Sequence, residues 1–133
     1  MKIKSMLIRF VLLMVLVIGT SFSCKKKKAS TTTDCEVVDT VSFQKNIVPI
    51  FEAQCVSCHC GSNASGNLNL EANVAYQNLS DPKSGYLDTI NPTYSLLYAS
   101  MISTSNPMPP NGKLDKCTTD LILKWIQQKA KNN

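Results

Sequence analysis

The chain is poor in histidine, in charge and in aromatic rings: one histidine, 17% charged residues and 7% aromatics in 133 residues. With a single imidazole, a metal that takes a second soft ligand must find it on another residue type. No apolar run is long enough to cross a bilayer as a mature helix, the longest being residues 10–18. No stretch alternates convincingly as a strand, which removes the βαβ frame that a thioredoxin-like thiol pair requires. A basic surface is also missing, despite a formal charge of +5. Lys2, Lys4, Arg9 and the cluster Lys25 to Lys28 hold that excess, and from Cys35 onward seven lysines stand against eight acidic residues, a net charge of −1. Nucleic acid is therefore not an expected partner.

What is present is cysteine, six residues of it, and the chain is organised around Cys55-Val56-Ser57-Cys58-His59. This run reads as an attachment site for one c-type haem. Two thiols three positions apart on a helical end face the same side, so Cys55 and Cys58 can each form a thioether, and His59 can offer a nitrogen lone pair to iron. Two rival chemistries use the same residues. Cys55, Cys58, His59 and Cys60 are four soft zinc ligands, but neighbours such as His59 and Cys60 rarely close one tetrahedron, and zinc sites usually draw their second pair from a distant knuckle. A redox dithiol is the other rival.

The length allows one domain, preceded by a leader. Lys2, Lys4 and Arg9 form its basic part, residues 10–18 its apolar part, and Ser21-Phe22-Ser23-Cys24 its end. That ending resembles a bacterial lipobox, which makes residues 1–23 a signal peptide and Cys24 the lipidated first residue of the mature chain. Residues 24–34 read as a flexible Lys/Ser/Thr tether without apolar period, and the lysines beside the anchor can attract anionic lipid head groups. The folded domain is expected over 35–133.

Within it, Ser42 is a candidate N-cap, and Phe43, Ile47, Ile50 and Phe51 trace the stripe of an amphipathic helix over about 42–54, bent or divided by Pro49. A short helix is expected around 72–79. Asn91-Pro92 reads as an N-cap with proline at the first helical position, opening a helix to about Ser103 with Tyr94, Leu97, Tyr98 and Met101 on one side. Asp115 caps the last helix, with Ile122, Trp125 and Ile126 at helical spacing to about Lys131. The sum is an all-α domain of about four short helices joined by long loops. So small a unit is expected to be poorly packed unless a cofactor fills its middle.

With no second histidine, the soft candidates for a sixth iron ligand are methionines. Met101 lies on the apolar side of a helix and reads as core. Met108, held between Pro107 and Pro109-Pro110, sits in a stiff loop that can present a thioether at fixed distance, so His59 and Met108 are the expected metal ligands. Of the remaining cysteines, Cys35, Cys60 and Cys117, two are expected to pair in an oxidising compartment. Joining Cys35 to Cys117 would close most of the domain into one loop, while spacing alone leaves Cys60 open as a partner of either.

The succession Val41 to Phe51, Cys55 to His59, Leu68-Asn69-Leu70, Met108-Pro109-Pro110 and Lys124-Trp125-Ile126 resembles the class I cytochrome c domains on envelope lipoproteins of Bacteroidetes-type bacteria, related to the planctomycete cytochrome C-like family. The resemblance covers roughly residues 36 to 130, and its specific parts are the haem motif and the Met-Pro-Pro loop. It implies a small cytochrome c-like fold whose first and last helices cross beside the haem, with Cys55 and Cys58 binding it and His59 and Met108 on its two faces. It also implies a disulfide between Cys35 and Cys117, and the chain departs from it by placing Cys60 directly after the histidine. The expected function is electron transfer by one covalent haem c, not enzymatic catalysis, with redox proteins of the bacterial cell envelope as partners. The protein is expected to be membrane-anchored through Cys24, facing the periplasm or at the outer membrane. Two other functions compete: a haem-based ligand-binding or sensory module, and a haem subunit of a larger envelope redox complex.

Overall fold

The computed structural model describes Cys35 and residues 38–133. The expected signal peptide over 1–23, the expected lipidation site Cys24 and the expected tether over 24–34 lie outside the described residues. Among the described residues the chain is helical and has no strand.

The first helical segment follows from its cap and its proline. Ser42 Oγ accepts from the Lys45 N–H at 3.2 Å, satisfying one orphan donor of the first turn. Pro49 has no N–H to give the Lys45 carbonyl, and the turn before it, Phe43–Ile47, is π-helical, with the Val48 N–H donating to the Phe43 carbonyl. Regular helix α1 follows over Val48–Gln54. The expected bent helix is thus a π turn running into an α-helix. Asn133 closes the same turn: its carbonyl accepts from the Gln44 N–H at 3.0 Å and from Ser42 Oγ at 2.6 Å, and its Oδ1 accepts from the Phe43 N–H at 3.0 Å.

Helix α2 spans Ala75–Ser80, preceded by turns where the sequence pattern starts a helix at 72. The segment after Asn91 differs more. Pro92–Tyr94 forms one 3-10 turn, Ser95 leaves the helical region with φ −53° and ψ 125°, and α3 begins only at Leu96, running over Leu96–Ile102. The Asn91 side chain makes no capping bond. Instead Asp88 Oδ1 accepts from the Ile90 and Asn91 N–H groups at 2.9 and 2.8 Å, and the buried Ser95 hydroxyl accepts from the Asp88 N–H at 2.8 Å. These local bonds offer the backbone an alternative to continuous helix. Tyr94, expected on the apolar side, is 79% exposed. Helix α4 spans Lys116–Gln127, with Asp115 Oδ1 accepting from the Thr118 N–H at 3.0 Å, and ends short of Lys131.

The core gathers around Phe43. Its ring lies 5.2 Å from Trp125, 5.3 Å from Tyr76 and 6.3 Å from Phe51, centroid to centroid. Ile47, Leu79, Ile122 and Ile126 are fully buried beside these rings, each such side chain contributing about 1.5–3 kcal/mol. The Trp125 ring N–H donates to the Lys131 carbonyl at 2.9 Å, so the indole is buried without an orphan donor. Leu68, Leu70, Ala75, Leu79, Leu97 and Met101 all join this core. Leu68 and Leu70 reach it from a loop, as single apolar residues that helical periodicity does not register. A disulfide joins Cys35 to Cys117 at the start of α4, with Cα atoms 5.2 Å apart.

Candidate functional site

Residues Cys55 to His59 continue from the end of α1 as one more turn. The Cys55 N–H still donates to the Phe51 carbonyl at 2.8 Å, and the Cys55 carbonyl accepts from Cys58 and His59 at 3.1 and 3.0 Å. This winding brings both thiols to one side, as a separation of three residues requires. Both line a cleft of about 500 Å³, a volume in the ordinary range of cofactor sites, about 300–1,000 Å³. His59 lines the same cleft, and so does Met108 from the far loop.

The walls are apolar. Leu68 and Leu70 come from the segment after the motif, Leu96, Leu97 and Met101 from α3, and Leu114 from the approach to α4. Gly66 lines the cleft with φ +62°, a backbone conformation that side chains with a Cβ disfavour. Pro109, Pro110 and Asn111 complete the Met108 side. The Met108 N–H donates to the Ser100 carbonyl at 3.0 Å, which fastens this loop to α3.

His59 is half-buried, and its Nδ1 stands 3.1 Å from the Leu68 carbonyl. A carbonyl only accepts, so Nδ1 carries a proton, and in the neutral imidazole Nε2 then keeps the lone pair. The Leu70 N–H donates to the His59 carbonyl at 2.8 Å, binding the backbone on both sides of the imidazole.

The thiols are not alike. Cys55 is half-buried, and burial pushes its pKa up to about 11. It is therefore a neutral thiol near pH 7, unlike the low-pKa thiolate that starts dithiol exchange. Cys58 and Cys60 are exposed, and all three are free of disulfides. Among the described residues no three His, Cys, Asp or Glu side chains gather as a group that could hold a metal ion, so Cys55, Cys58, His59 and Cys60 do not converge as the zinc alternative requires.

The residues singled out in the sequence thus divide by place. Cys55, Cys58, His59 and Met108 meet at the cleft, Cys35 and Cys117 are joined away from it, and Cys24 lies outside the described residues. Met101, read as core, is 5% exposed and also lines the cleft. Sequence reasoning missed the roles of the Leu68 carbonyl, the Ser100 carbonyl and the wall residue Tyr86. Backbone acceptors carry no residue-type signature, although the paired leucines at 68 and 70 do mark a segment buried on one side. No family model, curated protein or solved structure matches the chain.

Proposed function

We propose that the protein is a single-haem c-type cytochrome that transfers electrons in the bacterial cell envelope, with the haem held by Cys55 and Cys58 and the iron by His59 and Met108. The observation that carries this proposal is that two thiols, an imidazole and a distant thioether line one apolar cleft of cofactor size. The donor set fits the group: two thiols would attach it covalently, and one nitrogen and one thioether sulfur would ligate its iron. When bound, haem c supplies a one-electron couple between Fe(III) and Fe(II).

The chain's own residues do the rest. Cys55 and Cys58 would each add a thiol S–H across one vinyl group, sulfur to one carbon and hydrogen to the other. The Leu68 carbonyl holds the His59 proton on Nδ1 and leaves Nε2 for the metal. The leucines of the wall keep water away, and a thioether ligand from Met108 would favour the reduced state and raise the potential. Held by His59 and Met108, the iron would offer no open coordination site to a substrate, which would suit an electron carrier rather than an enzyme.

The proposed architecture is a small class I cytochrome c-like domain, tethered to the membrane through a lipidated Cys24 and reaching redox proteins of the periplasm or outer membrane. A visible spectrum with a pyridine haemochrome assay tests the cofactor, on protein from a host that matures c-type cytochromes. One covalent haem per chain is the expected result, and its absence under those conditions rejects the proposal.

A further inference from the structure

A side-chain clasp holds the turn that carries His59, and the roles given to Cys55, Cys58, His59 and Met108 leave it unused. Just beyond His59 the chain turns at Gly61, φ +66°, and the Gly61 N–H donates to Glu71 Oε2 at 3.0 Å. The same oxygen accepts from Asn69 Nδ2 at 2.7 Å, and Asn69 Oδ1 accepts from the Glu71 backbone N–H at 2.8 Å. Asn69 Nδ2 also lies 3.3 Å from the Gly61 carbonyl. From α2, Asn78 Nδ2 donates to the Asn69 carbonyl at 2.7 Å, so the clasp is moored on a helix.

These bonds bracket the two that fix the histidine. Leu68 and Leu70 are the immediate neighbours of Asn69, and they supply the acceptor for His59 Nδ1 and the donor for the His59 carbonyl. A slide of residues 68–70 against 59–61 therefore moves the acceptor off the ring proton. Glu71 is the one carboxylate that spans the two segments in this set of bonds. Its two N–H donors hold its carboxyl below the usual carboxylate range, so the bonds are charge-assisted at neutral pH.

We propose that Glu71 is a positioning residue for the His59 imidazole: its carboxylate locks the segment after His59 to the segment that receives the ring proton, and so sets the tautomer and the ring orientation. The consequence at the metal rests on the haem proposal, whereas the clasp and its effect on the ring nitrogen do not. Partners one step removed from a metal ligand fix ligand geometry in this way, and losing them commonly costs about 10–100-fold in affinity or activity.

The test compares the full chain with Glu71→Ala, Glu71→Gln and Ser84→Ala, all from a host that matures c-type cytochromes. Ser84 makes two hydroxyl bonds in the 81–86 turn and controls for general loosening of a loop. Two readouts are taken by magnetic resonance: exchange of the His59 Nδ1 proton, and the spread of the hyperfine-shifted resonances in the oxidised protein. Glu71→Ala is expected to speed the proton exchange by about tenfold and to change the hyperfine spread. Glu71→Gln, which keeps an acceptor oxygen, is expected to recover most of both, and Ser84→Ala to match the parent. Parental exchange and parental spread in Glu71→Ala overturn the proposal, as does an equal effect in Ser84→Ala. If Glu71→Ala does not fold, Asn69→Ala removes one donor to the carboxylate and takes its place under the same criteria. Parent protein without covalent haem rejects the electron-carrier proposal, and the ring-nitrogen measurement, which needs no haem, then decides the clasp alone.

Discussion

The backbone N–H of Met108 donates to the carbonyl of Ser100 at 3.0 Å, so the thioether is carried on a loop fastened to α3 by its own main chain. Replacing the side chain leaves that bond intact. Met108→Ala is therefore expected to keep the covalent haem and the helices. It should lose the weak long-wavelength sulfur-to-iron absorption band and have a lower potential. Carbon monoxide gives the complementary measurement: the reduced parent is expected to bind it slowly or not at all, and Met108→Ala to bind it promptly. Prompt binding by the parent would favour a ligand-binding or sensory module instead.

The disulfide between Cys35 and Cys117 spans a sequence separation of 82 residues. On the loop-entropy model a closed loop of that size constrains the unfolded chain by roughly 4 to 5 kcal/mol. Cys35→Ser is expected to lower unfolding stability by up to that amount while leaving the visible spectrum unchanged, because neither cysteine lines the cleft. Denaturant titration of the two proteins checks the first part, and an altered spectrum would contradict the second.

Asp115 gives the stability a pH dependence of known sign. Its bonds to the Thr118 hydroxyl and N–H hold its carboxyl below the usual value of 3.8. The folded chain thus binds the proton less readily than the unfolded one. The stabilisation is fully present above the unfolded value, and it is lost as pH falls below about 3.8 toward the lower folded value. Asp115→Ala is expected to cost about 1 kcal/mol at pH 7, and the difference between the two proteins should shrink over that acid window. An unchanged difference at low pH would refute the cap as its source.

Cys24→Ser tests the anchor. If Cys24 is acylated, the variant is expected to appear, haem-loaded, in the soluble envelope fraction. Acyl burial contributes about 0.8 kcal/mol per CH₂ group, and the lysines beside it hold a membrane weakly by comparison. Fractionation followed by a haem stain reads the result, and continued tight membrane association would point to an uncleaved leader or a protein partner.

The residues that meet at the cleft were more legible in the sequence than the fold that frames them. Cys55, Cys58 and His59 are tied to one another by a short spacing, and Met108 is flagged by the prolines around it, so residue type and position suffice. Ser42 and Asp115 were legible as caps because their oxygens act within three residues. The segment over 88–95 was not. There Asn91-Pro92 carries a helix signal, but Asp88 and Ser95 bond across seven residues and end the turn at Tyr94, a tertiary arrangement that local propensity does not encode. Leu68 and Leu70 carry only a short signal, one pair two residues apart, and it is the fold that brings them into the core.

The bonds from Ser42, Phe43 and Gln44 to Asn133 set the entry and exit of the domain side by side. A unit whose two ends nearly touch can be spliced into a surface loop of another chain without stretching either host or guest. It can equally be circularly permuted: a linker from residue 133 back to residue 35, with new ends cut in the exposed turn at Asp81–Lys83, would keep both the disulfide between Cys35 and Cys117 and the buried Val41 in the chain.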